Sequence, residues 1–190
     1  MKSISNTEML IQQELLDLLE TKPIHKIKIK DITERLKISR TTFYRYYDST
    51  YSCLQTIIDT FYDELVKYPV PSRAAFNAKY FHEPHPKLVK ILEFLLENSK
   101  LVRTMFGPNG EWIFKKKGID VVRTYIDAKG KKERSGKSGK YYDFLEEFLI
   151  GGHLQITLHY LANHNSISIN DFAILWSRLF YGCQNIELPE

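Results

Sequence analysis

The part of the sequence with the clearest chemical capacity lies between Lys28 and Tyr47. Within it, Arg40, Thr41 and Thr42 follow directly on Ser39. An arginine guanidinium can donate two hydrogen bonds to O6 and N7 of guanine, while a threonine offers a methyl group to thymine and a hydroxyl to several bases. At the front of a helix, these residue types have the chemistry needed to read base edges in the major groove of DNA.

The residues on either side suit phosphate better than bases. Tyr44, Arg45 and Tyr46 lie one helical turn further on, where hydroxyl and guanidinium groups can donate hydrogen bonds to phosphate oxygens. Lys28 and Lys30 add two cations at the start of the same stretch. The candidate DNA-contacting residues are therefore Lys28, Lys30, Ser39, Arg40, Thr41, Thr42, Tyr44, Arg45 and Tyr46.

The positive charge of the chain is concentrated in the same region. Residues 22–47 hold eight lysines and arginines and two acids, a net charge of +6, whereas the whole chain carries only +4. The remainder is therefore net −2, and a local basic surface of this kind attracts the DNA backbone. Charge alone leaves a second interpretation open, namely an ordinary helical hairpin with a solvated cationic face.

Two helices joined by a tight turn must position these side chains. The first helix has an apolar stripe at Ile29, Ile32 and Leu36. Ser39 is placed to begin the second helix as its N-cap, because its hydroxyl can accept a hydrogen bond from the amide of Thr41 or Thr42. Ile38 and Phe43 flank that cap with the spacing of a hydrophobic staple, which fixes the angle of the turn. The pattern predicts a helix-turn-helix.

This stretch resembles the DNA-binding domain of the TetR family of bacterial transcriptional regulators. The match covers roughly residues 8–66 and includes I-K-D-I-T-E-R-L-K-I-S, then R-T-T-F-Y-R-Y-Y and S-T-Y-S-C-L. The resemblance implies a homodimer on a palindromic operator, with one helix-turn-helix in each subunit. It also implies that the bases are contacted by Arg40, Thr41 and Thr42. By the same resemblance, the phosphates are contacted by Tyr44 and Tyr46.

The resemblance further implies that Phe43 and Tyr47 belong to the core.

Three positions differ from the family pattern. Lys37 stands where the turn usually has glycine, so we expect a left-handed residue that costs on the order of 1 kcal/mol. Lys28 replaces the usual threonine or serine cap, a loss of about 1 kcal/mol. Thr50 replaces a lysine that often contacts phosphate.

The rest of the chain shows helical periodicity and no convincing strand, so we predict an all-α fold with about nine helices. Four of the seven prolines fall between Tyr68 and Pro86. Since helices usually end before a proline, we predict a helix-turn-helix DNA-binding domain at 1–67, a linker at 68–86, and a helical regulatory and dimerisation domain at 87–190.

The C-terminal domain carries two helices with apolar residues on more than one face, beginning near Tyr141 and Ser168. The sequence F-L-I-G-G-H-L-Q-I-T-L-H-Y-L resembles the C-terminal domain of a TetR subgroup, a looser match over roughly 80–182. By that resemblance the two helices pair with those of a second subunit in a four-helix bundle. The candidate interface residues are Phe148, Gly152, Ile156, Leu175, Trp176 and Leu179.

Aromatic and polar residues of the same domain are candidates for an effector pocket, although each residue type is also common in a core. They are Phe94, Trp112, Phe114, Tyr125, Tyr142, His153 and His159. The sequence therefore predicts a homodimeric repressor that a small molecule releases from DNA. The alternative is a DNA-binding regulator whose C-terminal domain responds to a protein partner, which the basic segment Lys129–Lys140 suggests.

Other chemistries find little support. The motif His82-Glu83-Pro84-His85 has no third metal ligand, and Gly136-Lys137-Ser138 lacks the preceding strand of a P-loop. Cys53 and Cys183 are far apart and read as small buried residues. We expect no enzyme activity, cofactor or metal. The N-terminus lacks the apolar core of a signal peptide and no apolar run reaches about 18 residues, so we expect a cytoplasmic protein without a membrane span.

Overall fold

The computed structural model describes residues 5–68, 78–127 and 139–184 of the 190-residue chain. Within these ranges the regular structure is helical, which confirms the prediction of an all-α fold with about nine helices. The α-helices are α1 (Asn6–Leu19), α2 (Ile29–Leu36), α3 (Arg40–Tyr44), α4 (Thr50–Leu65), α5 (Pro86–Glu97), α6 (Ser99–Phe106), α7 (Trp112–Asp127), α8 (Gly139–Ala162) and α9 (Ile169–Gln184). None of these helices is both long and apolar enough to cross a membrane.

The helices divide into two compact units. The first comprises the chain up to Glu64 together with Lys100–Lys115, and the second comprises Leu65–Ser99 and the chain from Lys116 onward. This grouping differs from the division predicted at residues 67 and 87. The difference arises because the periodicity of an amphipathic helix shows which face is buried but not against which core.

The N-terminal helices of the first unit bury the residues that their periodicity predicts. In α1 the apolar stripe is fully buried, and it consists of Ile11, Leu15, Leu18 and Leu19. Ile32 of α2 and Phe43 of α3 are also fully buried. Cys53 of α4 is buried among them, and burial raises the pKa of its thiol to about 12. It is therefore a neutral core residue, as its sequence context predicts.

Helix α6 and the first turn of α7 complete this core. Phe114 has no exposed surface, and its ring lies 5.3 Å from that of Phe61 and 5.1 Å from that of Tyr62, centroid to centroid. The Tyr62 hydroxyl donates a 2.6 Å hydrogen bond to the backbone oxygen of Phe114. An ion pair between Lys100 of α6 and Asp17 of α1 adds a second connection. Residues 100–115 are thus structural partners of the N-terminal helices.

The second unit has a core built by α5, α8 and α9. Its buried members are Leu88, Leu92, Leu149, Ile150, Tyr160, Phe172, Ala173 and Phe180. The rings of Tyr160 and Phe172 stack with centroids 4.0 Å apart and planes 5° from parallel. Ser168 begins α9 as predicted: its hydroxyl accepts from the amide of Asp171 at 3.1 Å and donates to that residue's carboxylate at 2.7 Å. This reciprocal pairing satisfies two groups at the start of the helix.

Candidate nucleic-acid interface

Helix α2 begins without a serine or threonine cap, and a carboxylate takes its place. Oδ2 of Asp31 accepts the backbone N–H of Lys28 at 3.0 Å and lies 2.6 Å from Nζ of Lys22. The Lys22 ammonium, followed by the Lys28 amide, holds the pKa of Asp31 below its usual value. The cap that Lys28 lacks is therefore supplied from within the first turn of the helix.

The turn between α2 and α3 passes through a left-handed residue. Lys37 has φ 54° and ψ 40°, and it is the one non-glycine residue in the described ranges with a positive φ. The N–H of Ile38 then donates to the oxygen of Thr33 at 3.0 Å, which closes the end of α2. The turn therefore has the left-handed conformation, which in a residue with a Cβ costs on the order of 1 kcal/mol. The Lys37 side chain is exposed on this turn.

Helix α3 is short, and its orientation is fixed by a cap at its first turn and by a buried aromatic side chain. The Ser39 hydroxyl accepts the amide of Thr42 at 3.0 Å, as predicted, and lies 2.9 Å from the Thr42 hydroxyl. Phe43 is fully buried under the helix. Arg40 and Thr41 are exposed at its front, and Tyr44 is 54% exposed. The arrangement exposes Arg40 and Thr41, whereas Thr42, the third residue suited to base reading, is half-buried beside Ser39.

Two consecutive tyrosines after α3 have different surroundings. Tyr47 is buried, as predicted; its hydroxyl accepts from Nε2 of Gln12 at 2.7 Å and donates to Oε1 of Glu8 at 3.2 Å. Burial raises the pKa of Tyr47. Tyr46 is half-buried, and its oxygen accepts a 3.0 Å hydrogen bond from the hydroxyl of Ser5. Both side chains reach the first turns of α1.

The start of α4 shows what replaces the lysine that the family often has there. Thr50 is buried, and its hydroxyl donates to the backbone oxygen of Ile27 at 3.4 Å. Ser49 and Ser52 cap the helix, because each side-chain oxygen accepts the other residue's amide at 3.0 Å. Thr50 thus joins α4 to the segment before α2 through a buried hydroxyl.

Only some of the cations between residues 22 and 47 are neutralised by neighbours. Lys22 pairs with Asp31 at 2.6 Å, Lys30 with Glu34 at 3.4 Å, and Arg35 with Glu14 at 2.9 Å. The exposed cations of this segment that form no ion pair within the described residues are Lys26, Lys28, Lys37, Arg40 and Arg45. The Lys30–Glu34 pair is a surface pair of the kind worth about 0.3–0.5 kcal/mol, which does not prevent a phosphate contact.

The candidate pocket residues do not form one cluster. Phe114 belongs to the core of the first unit, where Trp112 is 68% exposed. Phe94 and His153 are buried in the second unit, and His159 is exposed there. The side chains of Tyr125, Tyr142 and Cys183 are not among the described parts of the chain. Residues 128–138, which hold most of the basic segment, are also outside the described ranges. Among the described residues no group of three or more histidine, cysteine or acidic side chains could hold a metal.

His153 is the most unusual polar residue of the second unit. Its Nδ1 lies 2.8 Å from the backbone oxygen of Leu149, and its ring meets those of Trp176 and Phe180 edge to face at 4.3 and 5.2 Å. Its Nε2 is buried and has no hydrogen-bond partner among the described residues. Burial lowers the pKa of His153, and the backbone of Leu149 and Trp176 opposes that shift.

Two buried histidines predict a loss of stability at mildly acidic pH. Burial also lowers the pKa of His85, whose Nδ1 accepts the amide of Lys87 at 3.2 Å and caps α5. Below about pH 6.5 the unfolded chain binds protons that the folded chain excludes, so the free energy of unfolding falls, by at most about 1.4 kcal/mol per pH unit for each histidine. Urea denaturation between pH 7.5 and 5 should show this decline. It should be shallower for His153→Gln, and an equal decline in the variant contradicts the prediction for His153.

The candidate dimer residues are exposed in part. Phe148, Leu175 and Leu179 are 63%, 42% and 41% exposed, whereas Ile156 and Trp176 are half-buried against the core of the second unit. Gly151 is exposed and Gly152 half-buried, and a Cβ on either would meet no atom within 4 Å. Phe144, one turn before Phe148, is 77% exposed and was not among the predicted interface residues. Its i, i+4 spacing from Phe148 was the available signal.

The nine helices of the described ranges, with this capped helix-turn-helix among them, have the architecture of helix-turn-helix transcriptional regulators. Residues 82–182, a little over half of the chain, match the TetR family model described as "Transcriptional regulator C-terminal region". The chain belongs to the TetR family of transcriptional regulators.

Comparisons with individual proteins agree with this assignment. The HTH-type dhaKLM operon transcriptional activator DhaS of Lactococcus lactis subsp. lactis (strain IL1403) is 27% identical over 106 residues, which cover 56% of this chain and 52% of that protein. The chain therefore matches about half the length of that relative.

Two solved structures share the fold. A TetR transcriptional regulator from Streptococcus agalactiae 2603V superposes with a TM-score of 0.60 at 18% identity, over 94% of both chains. The dihydroxyacetone kinase operon activator DhaS does so with a TM-score of 0.55 at 19% identity, over 97% of this chain and 99% of that one.

Proposed function

We propose that the chain binds a palindromic DNA operator as a homodimer, with α3 of each subunit in the major groove. The observation that carries this proposal is the front of α3, where Arg40 and Thr41 are exposed beside a Ser39 cap and above a buried Phe43. The two copies of α3 would lie about 34 Å apart, one turn of DNA.

Each candidate residue has a role in this arrangement. Arg40, Thr41 and Thr42 face base edges, where a bidentate arginine–guanine pair discriminates by about 1–3 kcal/mol. Phosphate contacts fix the register and orientation of the protein on the duplex. We assign them to Lys28, Lys30, Tyr44, Arg45 and Tyr46, and we add Lys37, which is exposed and has no ion pair within the described ranges.

The exposed apolar side chains of the second unit support the dimer. Phe144 and Phe148 of α8 and Leu175 and Leu179 of α9 are large hydrophobic residues that the described chain leaves between 41% and 77% exposed. Isologous contact with the same helices of a second copy would bury them. The absence of a Cβ at Gly151 would let the two copies of α8 approach closely, because no described atom occupies that space.

Control of DNA binding is assigned to the second unit. In the repressor that the sequence predicts, a small molecule bound there favours a state that no longer fits the operator. The unpartnered Nε2 of His153 supports a small-molecule effector, since a buried acceptor without a donor costs about 1–3 kcal/mol.

The relative from L. lactis is named as an activator, and this favours activation as the second candidate. A reporter gene behind the upstream region separates the two, because deletion of the regulator raises expression under repression and lowers it under activation.

The proposed function is tested by the Arg40→Ala variant. Its affinity for the DNA upstream of its own gene should fall by about 1–3 kcal/mol, roughly 5- to 150-fold, because one base contact is lost. Fluorescence anisotropy with a labelled duplex at fixed salt measures this. Arg103→Ala is the control of equal charge, since Arg103 is exposed on α6 outside the candidate interface. Unchanged affinity in both Arg40→Ala and Tyr44→Phe would sink the assignment of α3 as the reading helix.

A further inference from the structure

The first turns of α1 and the end of α3 are joined by two tyrosine hydroxyls. Ser5 donates to the Tyr46 oxygen at 3.0 Å, and Tyr47 is held by Gln12 at 2.7 Å and Glu8 at 3.2 Å. These three contacts span 35 to 41 residues of sequence. They fix the distance between the N-terminus of α1 and the residues that follow the recognition helix.

The two hydroxyls are used differently. A tyrosine hydroxyl has one proton to donate and also accepts hydrogen bonds. Tyr47 uses both capacities inside the protein, because it accepts from Gln12 and donates to Glu8. Tyr46 accepts from Ser5, and no residue in the described ranges accepts its proton. Within the described ranges, the half-buried Tyr46 therefore keeps a proton that an external acceptor could take.

Ser5 takes part in the cap of α1 as well as in the hydrogen bond to Tyr46. Ser5 is the N-cap of α1, and its Oγ accepts the amide of Glu8 at 3.1 Å. The Ser5 hydroxyl donates its own proton to the Tyr46 oxygen. The bonds run in one direction, from the Glu8 amide through Ser5 to Tyr46. Consecutive bonds of this kind polarise one another and strengthen the final donor.

We propose that Ser5 is a positioning residue for DNA binding, because its hydrogen bond to the Tyr46 oxygen directs the Tyr46 proton to a DNA phosphate. This inference rests on the proposed function. The acceptor is a phosphate oxygen because an anionic oxygen makes the strongest partner for a neutral hydroxyl donor, and because Arg45, an exposed cation, is adjacent to Tyr46.

The test is a double-mutant cycle on operator affinity. Tyr46→Phe removes the phosphate donor and should weaken binding roughly tenfold, the loss expected for a hydrogen bond to a charged group. Ser5→Gly removes the hydroxyl while largely preserving the start of α1, because glycine is tolerated at an N-cap. It should weaken binding roughly three- to tenfold with little change in the urea denaturation midpoint. In the Tyr46→Phe background, Ser5→Gly should have no further effect.

Two further measurements separate positioning from a structural role. Ser5→Thr keeps an oxygen acceptor and a proton donor, so it should bind like the wild type. The dependence of affinity on salt should be the same in the wild type, Ser5→Gly and Tyr46→Phe, because none of these changes removes a cation that displaces counterions. Arg45→Ala should lower the slope of the logarithm of the binding constant against the logarithm of the salt concentration by about one.

The outcomes distinguish this inference from the proposed function. If the wild type binds no upstream DNA even at low salt, the proposed function itself fails. If the wild type binds and Ser5→Gly binds equally well, the role of Ser5 is refuted while the proposed function stands. If Ser5→Gly weakens binding by the same factor with and without Tyr46→Phe, Ser5 acts independently of Tyr46 and the inference is also overturned.

Discussion

A Phe148→Glu variant is expected to be monomeric and to bind its operator about 10²- to 10⁴-fold more weakly than the wild type, because the second recognition helix is no longer tethered to the first. Phe148 is 63% exposed, so the carboxylate is tolerated in the folded monomer. In an isologous dimer the substitution enters the interface twice, and each copy brings an unpaired charge into an apolar contact with Leu175 or its neighbours. Sedimentation velocity measures the association state, and anisotropy measures the affinity.

Asn165→Glu provides the matched control. Asn165 is exposed between α8 and α9, so this substitution adds the same charge at a position away from the exposed apolar residues of the two helices. It should remain dimeric. A half-site duplex should bind Phe148→Glu and the wild type with similar affinity per recognition helix. A Phe148→Glu protein that stays dimeric shows that Phe148 lies outside the interface. A monomer with full operator affinity shows that dimerisation is not required.

The Phe114→Ala variant should lose about 3–5 kcal/mol of its free energy of unfolding, the usual range for a fully buried phenylalanine. Phe114 has no exposed surface and packs its ring against Phe61, Tyr62 and Phe106, with centroids 5.1 to 5.6 Å apart. Truncation leaves a cavity between these aromatic rings. Because typical domains are stable by only about 5–15 kcal/mol, we expect part of the first unit to be unfolded at 37 °C, with a matching loss of DNA binding.

Trp112→Ala, two residues earlier on the same helix, is the matched control. The Trp112 side chain is 68% exposed, so its removal should change the free energy of unfolding by no more than about 0.5 kcal/mol. Urea denaturation followed by circular dichroism measures both variants. A loss below about 1 kcal/mol for Phe114→Ala would contradict the place of Phe114 in this core.

The features that the sequence predicts well depend on short-range contacts. The caps at Ser39 and Ser168 each join a hydroxyl to an amide three residues away, 3.0 and 3.1 Å apart. The left-handed residue at Lys37 was expected because the family pattern has glycine at this place in the turn. The inward positions of Phe43 and Tyr47 follow from the family resemblance and from their spacing. The two caps are determined within one helical turn, so the neighbouring residues suffice to predict them, whereas the buried Tyr47 also bonds Gln12 and Glu8, 35 and 39 residues away.

Features that depend on distant residues were not predictable. The Asp31 carboxylate accepts the amide of Lys28 within one turn, but it is held there by Lys22, nine residues before it. The inward direction of Thr50 depends on the oxygen of Ile27, 23 residues away. Trp112 and Phe114 share one helical pattern, but only the fold shows that one is exposed and the other buried. Their assignment to an effector pocket came from residue type, which carries no information on long-range partners.

The division of the first unit into two stretches of chain affects the order in which the protein can fold during synthesis. Phe114 is made 50 residues after Glu64, the end of the first stretch. At about 5–20 residues per second, the ribosome needs roughly 3–10 s to add those residues. During that interval Phe61 and Tyr62 have been made without their aromatic partner. A nascent chain is therefore expected to complete the helix-turn-helix core only after more than half of its length has been translated, so a message truncated before Phe114 should yield no stable DNA-binding product.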